Sequence, residues 1–203
     1  MTALYSAILA DVIAITNRPE LVTEHALAIR TATRAAHFGN TYFLDAVELD
    51  YTLPGGPAYT AQLNKTTIGA ARLRALNMIQ LIDATSVVVY KPEIKVVELG
   101  DILDVEYRTI KNNIAYIAGN VINIRSSLAA SGFRLTYFQS PNVTEATYDS
   151  WIANLAPDII IYAAAANVSM MTGNAEKAKL LNKYAFEDLR EQLDENFLTS
   201  KQR

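Results

Sequence analysis

The sequence predicts an α+β fold that is mainly α: a helical bundle with a β-rich insertion of antiparallel hairpins between its N- and C-terminal helices. Three observations carry this. Apolar residues recur at helical spacing at both ends of the chain, whereas from Tyr42 to Gln139 the period shortens towards two and turn residues punctuate it. The stretch Asp149 to Met171 is apolar over more consecutive positions than any other. Within it, Ile159, Ile160, Ile161 and Tyr162 run into Ala163, Ala164, Ala165 and Ala166 without a polar break, so no face suits water and the helix is expected at the centre of the bundle. Pro157 and Asp158 open it, because a proline at the first helical position loses only an N–H that had no partner and a carboxylate suits the positive end of the dipole. Gly173 and Asn174 stop it.

The remaining elements follow in chain order. Leu4, Ile8, Leu9, Val12 and Ile15 form a helical stripe, and Asn17, Pro19 and Glu20 read as the start of a second helix that ends at Gly39 and Asn40. Residues 1–40 are therefore expected as a helical hairpin. Phe43, Asp45, Val47, Leu49 and Tyr51 alternate against Glu48 and Asp50 as a half-buried strand, and Pro54, Gly55, Gly56 and Pro57 read as its turn, with Tyr59, Ala61 and Leu63 on the returning partner. Arg72 to Ile82 fits a short helix or a strand equally. Val87 to Tyr90 is strand-like and is broken at Pro92. Gly119 and Asn120 separate two β-favouring runs and predict a tight hairpin, to which Phe133 to Gln139 adds a third strand. Ala178, Leu181, Ala185, Leu189, Leu193 and Phe197 then recur mostly every four residues along a last amphipathic helix. No repeat and no Gly-, Ser- or Pro-rich linker divides the chain, so residues 1–203 read as one domain: the hairpin of 1–40, a β-rich insertion over 41–140, and the central and C-terminal helices over 149–203.

Composition narrows the function. A net charge of −3 argues against non-specific gripping of phosphate backbones by the whole surface, and the lack of cysteine removes disulfides and thiolate zinc sites. Asp11 interrupts the first apolar run and no basic region precedes it, which predicts an amphipathic helix and no secretory signal. The longest apolar run, Ile159 to Ala166, falls short of the roughly 20 residues a membrane span requires. His25 and His37 lack a carboxylate at zinc-helix spacing and read as structural. Asp101, Asp104 and Glu106 are the candidates for a hard cation or an acid–base pair, although a solvated edge fits them better. Lys65, Arg72 and Arg74, and Arg125 with Arg134, are the candidates for contact with a nucleic-acid backbone, although ordinary surface charge fits such isolated pairs better, while Tyr107, Tyr116, Phe133, Tyr137 and Phe138 at strand spacing suit a core better than base stacking.

The run ITNRPELVTEHALAIRTATRAAHF from Ile15 to Phe38, then FLDAVEL, YIAGNVINIRSS and YDSWIANLAPDIIIYAAAA, with Gly173 opening a last helix, resembles the head-to-tail adaptor, or head-completion, proteins of tailed bacteriophages. The resemblance spans roughly Leu4 to Leu193 and is weakest from Leu53 to Lys95. It implies a structural virion protein at the head–tail junction, made in the host cytoplasm, with no catalysis, no cofactor and no membrane. About twelve copies would form a ring below the portal protein, extend the channel for packaged DNA and dock the tail. Leu189, Leu193, Phe197 and Leu198 would then be portal-facing, and Lys65, Arg72, Arg74 and Arg125 channel-facing. Two other readings remain open at this stage: a small metal-dependent hydrolase or nuclease built on Asp101, Asp104 and Glu106, and a DNA-binding helical module, which the mixed charge of the second helix disfavours.

Overall fold

The computed structural model describes residues 1–39, 42–103, 113–191 and 193. Asp104, Glu106, Tyr107, Phe197 and Leu198 lie outside them. The chain divides into two units, one helical (Met1–Asp45 with Ser140–Arg203) and one of strands (Ala46–Gln139).

The helical unit forms around the apolar run, as its composition dictates. α1 (Ala3–Thr16) is capped by Thr2, whose Oγ1 accepts from the Tyr5 N–H at 3.2 Å, and buries Tyr5, Ile8 and Val12. Asn17 closes α1 and does not open the next helix: it lies in the left-handed region, φ 54°, donating its N–H to the Ile13 carbonyl. α2 (Val22–Phe38) buries His25, Ala28, Ile29, Ala32, Thr33, Ala36 and His37. Ser150 caps a short α3 (Trp151–Leu155). α4 (Pro157–Met171) has Pro157 in its first turn and buries Ile159, Ile160, Ile161, all four alanines from Ala163 to Ala166, and Val168. α1 and α2 both pack on α4, where side chains of a single methyl let backbones approach. The α4 terminus is a Schellman motif: Gly173 at φ 79° donates to the Met170 carbonyl and Asn174 to that of Ser169. α5 (Ala175–Lys183) follows, capped by Asn174, and widens into a π-helical segment, Tyr184–Leu189.

The expectation of a mainly helical bundle with inserted hairpins is overturned by the second unit. It is a curled, mixed sheet in the form of a half-barrel. Seven strands are described: β1 (Ala46–Thr52), β2 (Ala58–Asn64), β3 (Leu73–Ile82), β4 (Val88–Val96), β5 (Ile114–Ala118), β6 (Val121–Ala130) and β7 (Gly132–Gln139). Their order is β1-β7-β3-β4-β5-β6-β2. The sheet encloses a core of its own, with Leu63, Ile79, Leu81, Ile94, Ile122, Ile124, Phe133, Leu135 and Tyr137 at its centre.

Non-local pairing explains the difference. β1 and β2 are not a hairpin. β1 runs antiparallel to β7 from Ala46↔Phe138 to Thr52↔Gly132, and β2 continues beside β6 from Ala58↔Ala130 to Asn64↔Val121. The Pro54–Pro57 segment therefore turns a corner where β6 passes into β7, held by the Leu53 N–H on the Ser131 carbonyl at 2.8 Å. Gly132 at that corner lies between Thr52 and Ile82, and a Cβ there would run into the Tyr51 carbonyl oxygen and meet Ile82 at 3.0 Å. β7 likewise joins β1 and β3 and leaves the β5–β6 hairpin without the third strand expected for it. That hairpin itself forms as anticipated, with Ile117↔Ile122 and Ala118↔Val121 pairing around Gly119 at φ 60°. β4 passes through Pro92. Between Leu81↔Val89 and Ile79↔Ile94 it advances farther than β3, placing the proline in a bulge where no ladder donor is needed, and its end pairs in parallel with β5.

Candidate functional site

Among the described residues, chemistry-bearing or partner-seeking side chains gather in several places, three of which bear on the candidates, and each of these lies within one unit. The first is buried in the helical unit. The last turn of α2 presents His37, the 3-10 turn Phe43–Asp45 presents Asp45, and the start of α3 presents Ser150 and Trp151. His37 Nδ1 lies 2.9 Å from Asp45 Oδ1, His37 Nε2 lies 2.9 Å from Ser150 Oγ, and Trp151 Nε1 donates to the same Asp45 oxygen at 2.7 Å.

The order Ser–His–Asp is that of an acyl-transfer triad, yet access and vacancy are both missing. Ser150 is 2% exposed, His37 1% and Asp45 5%. Ser150 Oγ is moreover the helix cap, accepting the Ala153 N–H at 3.1 Å. With Asp45 as acceptor, Nδ1 carries a proton and Nε2 shares a second hydrogen bond with the Ser150 hydroxyl, so one imidazole ties both neighbours. The group is a polar clamp that fixes the segments before β1 and after β7. Sequence reasoning gave His37 a structural role without finding these partners, since residues 113 positions apart carry no local signal. Beside it, Thr33 Oγ1 and the Tyr148 hydroxyl lie 2.7 Å apart, and burial pushes the Tyr148 phenol up to about 12 despite that hydrogen bond.

The second place is an apolar cleft of about 460 Å³ on the helical unit, lined by Tyr162, Leu180, Leu181, Lys183 and Tyr184. Tyr162 and Tyr184 meet edge to face at 5.0 Å, while Leu180 remains 69% exposed and Tyr184 43%. This cleft precedes the residues expected to face the portal and includes none of them. Of the residues named for that role, Leu193 is 6% exposed and belongs to the helical core, and Leu189 is half-buried and packs against it. The four-residue repeat thus faces inwards at these two positions, and Leu180, off that repeat, is the uncovered one.

The third place is on the sheet. Arg125 on β6 stands in register between Thr60 of β2 and Ile114 of β5, and one step along, Asn123 stands between Gln62 and Tyr116. Thr60, Gln62, Tyr116, Asn123 and Arg125 line a shallow groove of about 200 Å³. Lys65 follows β2 and donates its N–H to the Asn120 carbonyl of the β5–β6 turn, on the same side of the sheet order as Arg125. Arg72 and Arg74 lie instead at the start of β3, which pairs with β7 and β4. The four basic candidates are therefore not one continuous strip. Arg134 is committed to Asp50 through two bonds, 2.7 and 2.8 Å, which hold that carboxyl below its usual range. Phe133, Tyr137 and Phe138 are core residues, as their spacing suggested.

Asp101 opens a 3-10 turn, Asp101–Leu103, and is exposed. Among the described residues no three His, Cys, Asp or Glu side chains gather closely enough to hold a metal ion, and no helix is long and apolar enough to cross a membrane. Comparison with models of known protein families and with curated proteins finds no match to this chain.

Proposed function

We propose that this chain is a head-to-tail adaptor of a tailed bacteriophage, a structural subunit that assembles into a ring beneath the portal, continues the DNA channel and receives the tail. The observation that carries the reading is the uncovered apolar surface around Leu180 and Tyr184, placed where the chain enters its C-terminal segment. Fully burying a leucine side chain contributes about 2 kcal/mol. A folded subunit that leaves Tyr184 partly uncovered in this cleft, with Leu180 beside it, presents an aromatic anchor of the type that dominates protein interfaces. The polar clamp adds to this, because its Ser150, His37 and Asp45 are spent on holding segments in place.

Under this reading the portal contacts the Leu180–Tyr184 cleft together with the segment that contains Phe197 and Leu198, while Leu189 and Leu193 hold that segment's root on the helical core. Lys65, Arg72 and Arg74 supply sparse positive charge to passing DNA, enough to retain it without arresting it. Arg125, set in a groove beside a sheet edge, is better suited to a fixed partner. The subunit is made in the host cytoplasm and resides in the virion.

The test is co-sedimentation of the full chain with the portal ring of the same virus, for the wild type and for Leu180→Asp. The wild type is expected to travel with the portal and the variant to lose at least tenfold in affinity while keeping its helical circular dichroism. Equal binding by both would remove the cleft from the interface, and no binding by either would remove the adaptor reading.

A further inference from the structure

Among the described residues the sheet has two open edges, and they match. Among the described residues β1 pairs only with β7 and β2 only with β6, so each strand leaves one row of backbone N–H and C=O groups without a ladder partner. Both strands are seven residues long. An open edge is ordinarily protected by lysine, proline or an inward charge, yet β2, AYTAQLN, has no charged residue and no proline. Its inner side chains, Ala61 and Leu63, are core residues, as the inner side chains of β1, namely Val47, Leu49 and Tyr51, pack on that same core. A strand of one parity laid against the other would therefore continue an apolar inner face and a polar outer face together.

Charge selects the pairing. On the outer face of β1, Glu48 and Asp50 are exposed, and Asp50 is taken by Arg134. On the β2 side, strands β2, β6 and β5 contain no Asp or Glu, and Arg125 lies half-buried in the groove with Thr60, Gln62, Tyr116 and Asn123. A strand added to β2 would lie two strand spacings from β6, about 10 Å, a gap that an arginine and a glutamate side chain span together. We infer that β1 of one copy adds to the β2 edge of a second copy, with Glu48 of the first against Arg125 of the second. Two different surfaces meet in such a contact, so it repeats head to tail and closes as a ring when the rotation allows. The inference rests on the ring reading for that closure and supplies the subunit contact it lacks.

The experiment is native mass spectrometry of the full chain, alone and with the portal ring, for the wild type, Glu48→Arg, Arg125→Glu and the double exchange. Each single exchange sets like charges together and should weaken self-association at least tenfold, and the double exchange should restore it. A second arm uses the absence of native cysteine. A chain carrying Glu48→Cys and Thr60→Cys, the β2 residue in register with Arg125, should give an oxidised ladder of dimers, trimers and higher forms, whereas either substitution alone stops at dimers. Should a charge exchange fail to fold, the ladder decides. Rings that form on the portal unchanged by both single exchanges, or a double-cysteine chain that gives no ladder, would overturn this contact and leave the adaptor reading standing. A wild type that stays monomeric alone and with the portal would overturn both.

Discussion

Replacing Asp45 with alanine tests the polar clamp, and its cost follows from the geometry. A single oxygen, Oδ1, accepts from both His37 Nδ1 at 2.9 Å and Trp151 Nε1 at 2.7 Å. Removing it strips buried His37 Nδ1 and partly buried Trp151 Nε1 of the acceptor they share, a loss of about 1–3 kcal/mol for the first and somewhat less for the second. The helical unit should lose about 2–5 kcal/mol, a large share of the 5–15 kcal/mol typical of a folded domain. Asp45→Asn keeps an oxygen in that place and loses only the charge, so it should cost about half as much. Urea unfolding followed by tryptophan fluorescence is the assay, because Trp151 is the chain's single tryptophan and sits on the clamp. At a slope of about 2 kcal/mol per molar urea, Asp45→Ala should move the midpoint down by roughly 1–2.5 M. A shift below about 0.3 M at unchanged slope, or an Asp45→Asn variant as damaged as Asp45→Ala, would show that His37 and Trp151 do not depend on this oxygen.

Other outcomes follow from the same geometry. Gly132→Ala should destabilise the strand unit by about 1–3 kcal/mol, since a Cβ cannot fit between Tyr51 and Ile82 at the corner, and thermal melting read at a β-sheet band checks it. The Tyr148 phenol, neutral when folded up to about pH 12, ionises more readily in the unfolded chain. Stability is therefore complete below about pH 10 and should fall by about 1.4 kcal/mol per pH unit between there and the folded value. Urea midpoints of the wild type at pH 9, 10 and 11 should show that fall, and those of Tyr148→Phe a smaller one, because burial also holds the Tyr5 and Tyr137 phenols above their usual value. Ala164→Leu in α4 should cost about 1–3 kcal/mol, because Ala164 is fully buried where α1 and α2 pack, and the Trp151 unfolding curve reads it.

What the sequence made legible was local. The α4 run, its proline start and its glycine stop, the α1 stripe and the Gly119 hairpin are each specified within about ten to twenty residues, and each formed where the pattern put it. What it hid was long-range. The partner of β1 is β7, with Asp50 and Arg134 separated by 84 positions, and no turn signal announces that pairing. The Pro-Gly-Gly-Pro stretch predicts a change of direction correctly but not its size, since the same residues serve a reversal or a corner. Pro92 failed as a strand breaker because a bulge tolerated it. Leu193 was offered to a partner because a four-residue repeat shows only that one side is apolar and not what covers it. The clamp was invisible for the same reason as the sheet, its members being gathered from Asp45 and from residues on either side of the whole strand unit. Arg125 was singled out by charge alone, and its groove depends on register with β2 and β5.

The central claim is that this chain is a ring subunit made to sit on a portal. Native mass spectrometry of the wild-type chain mixed with the portal ring of its virus tests it most directly. A ring subunit of this kind should give a discrete complex with about one copy of this chain per portal subunit, as a symmetric ring requires. Two folded proteins that pass through the instrument as separate species at every mixing ratio would contradict it.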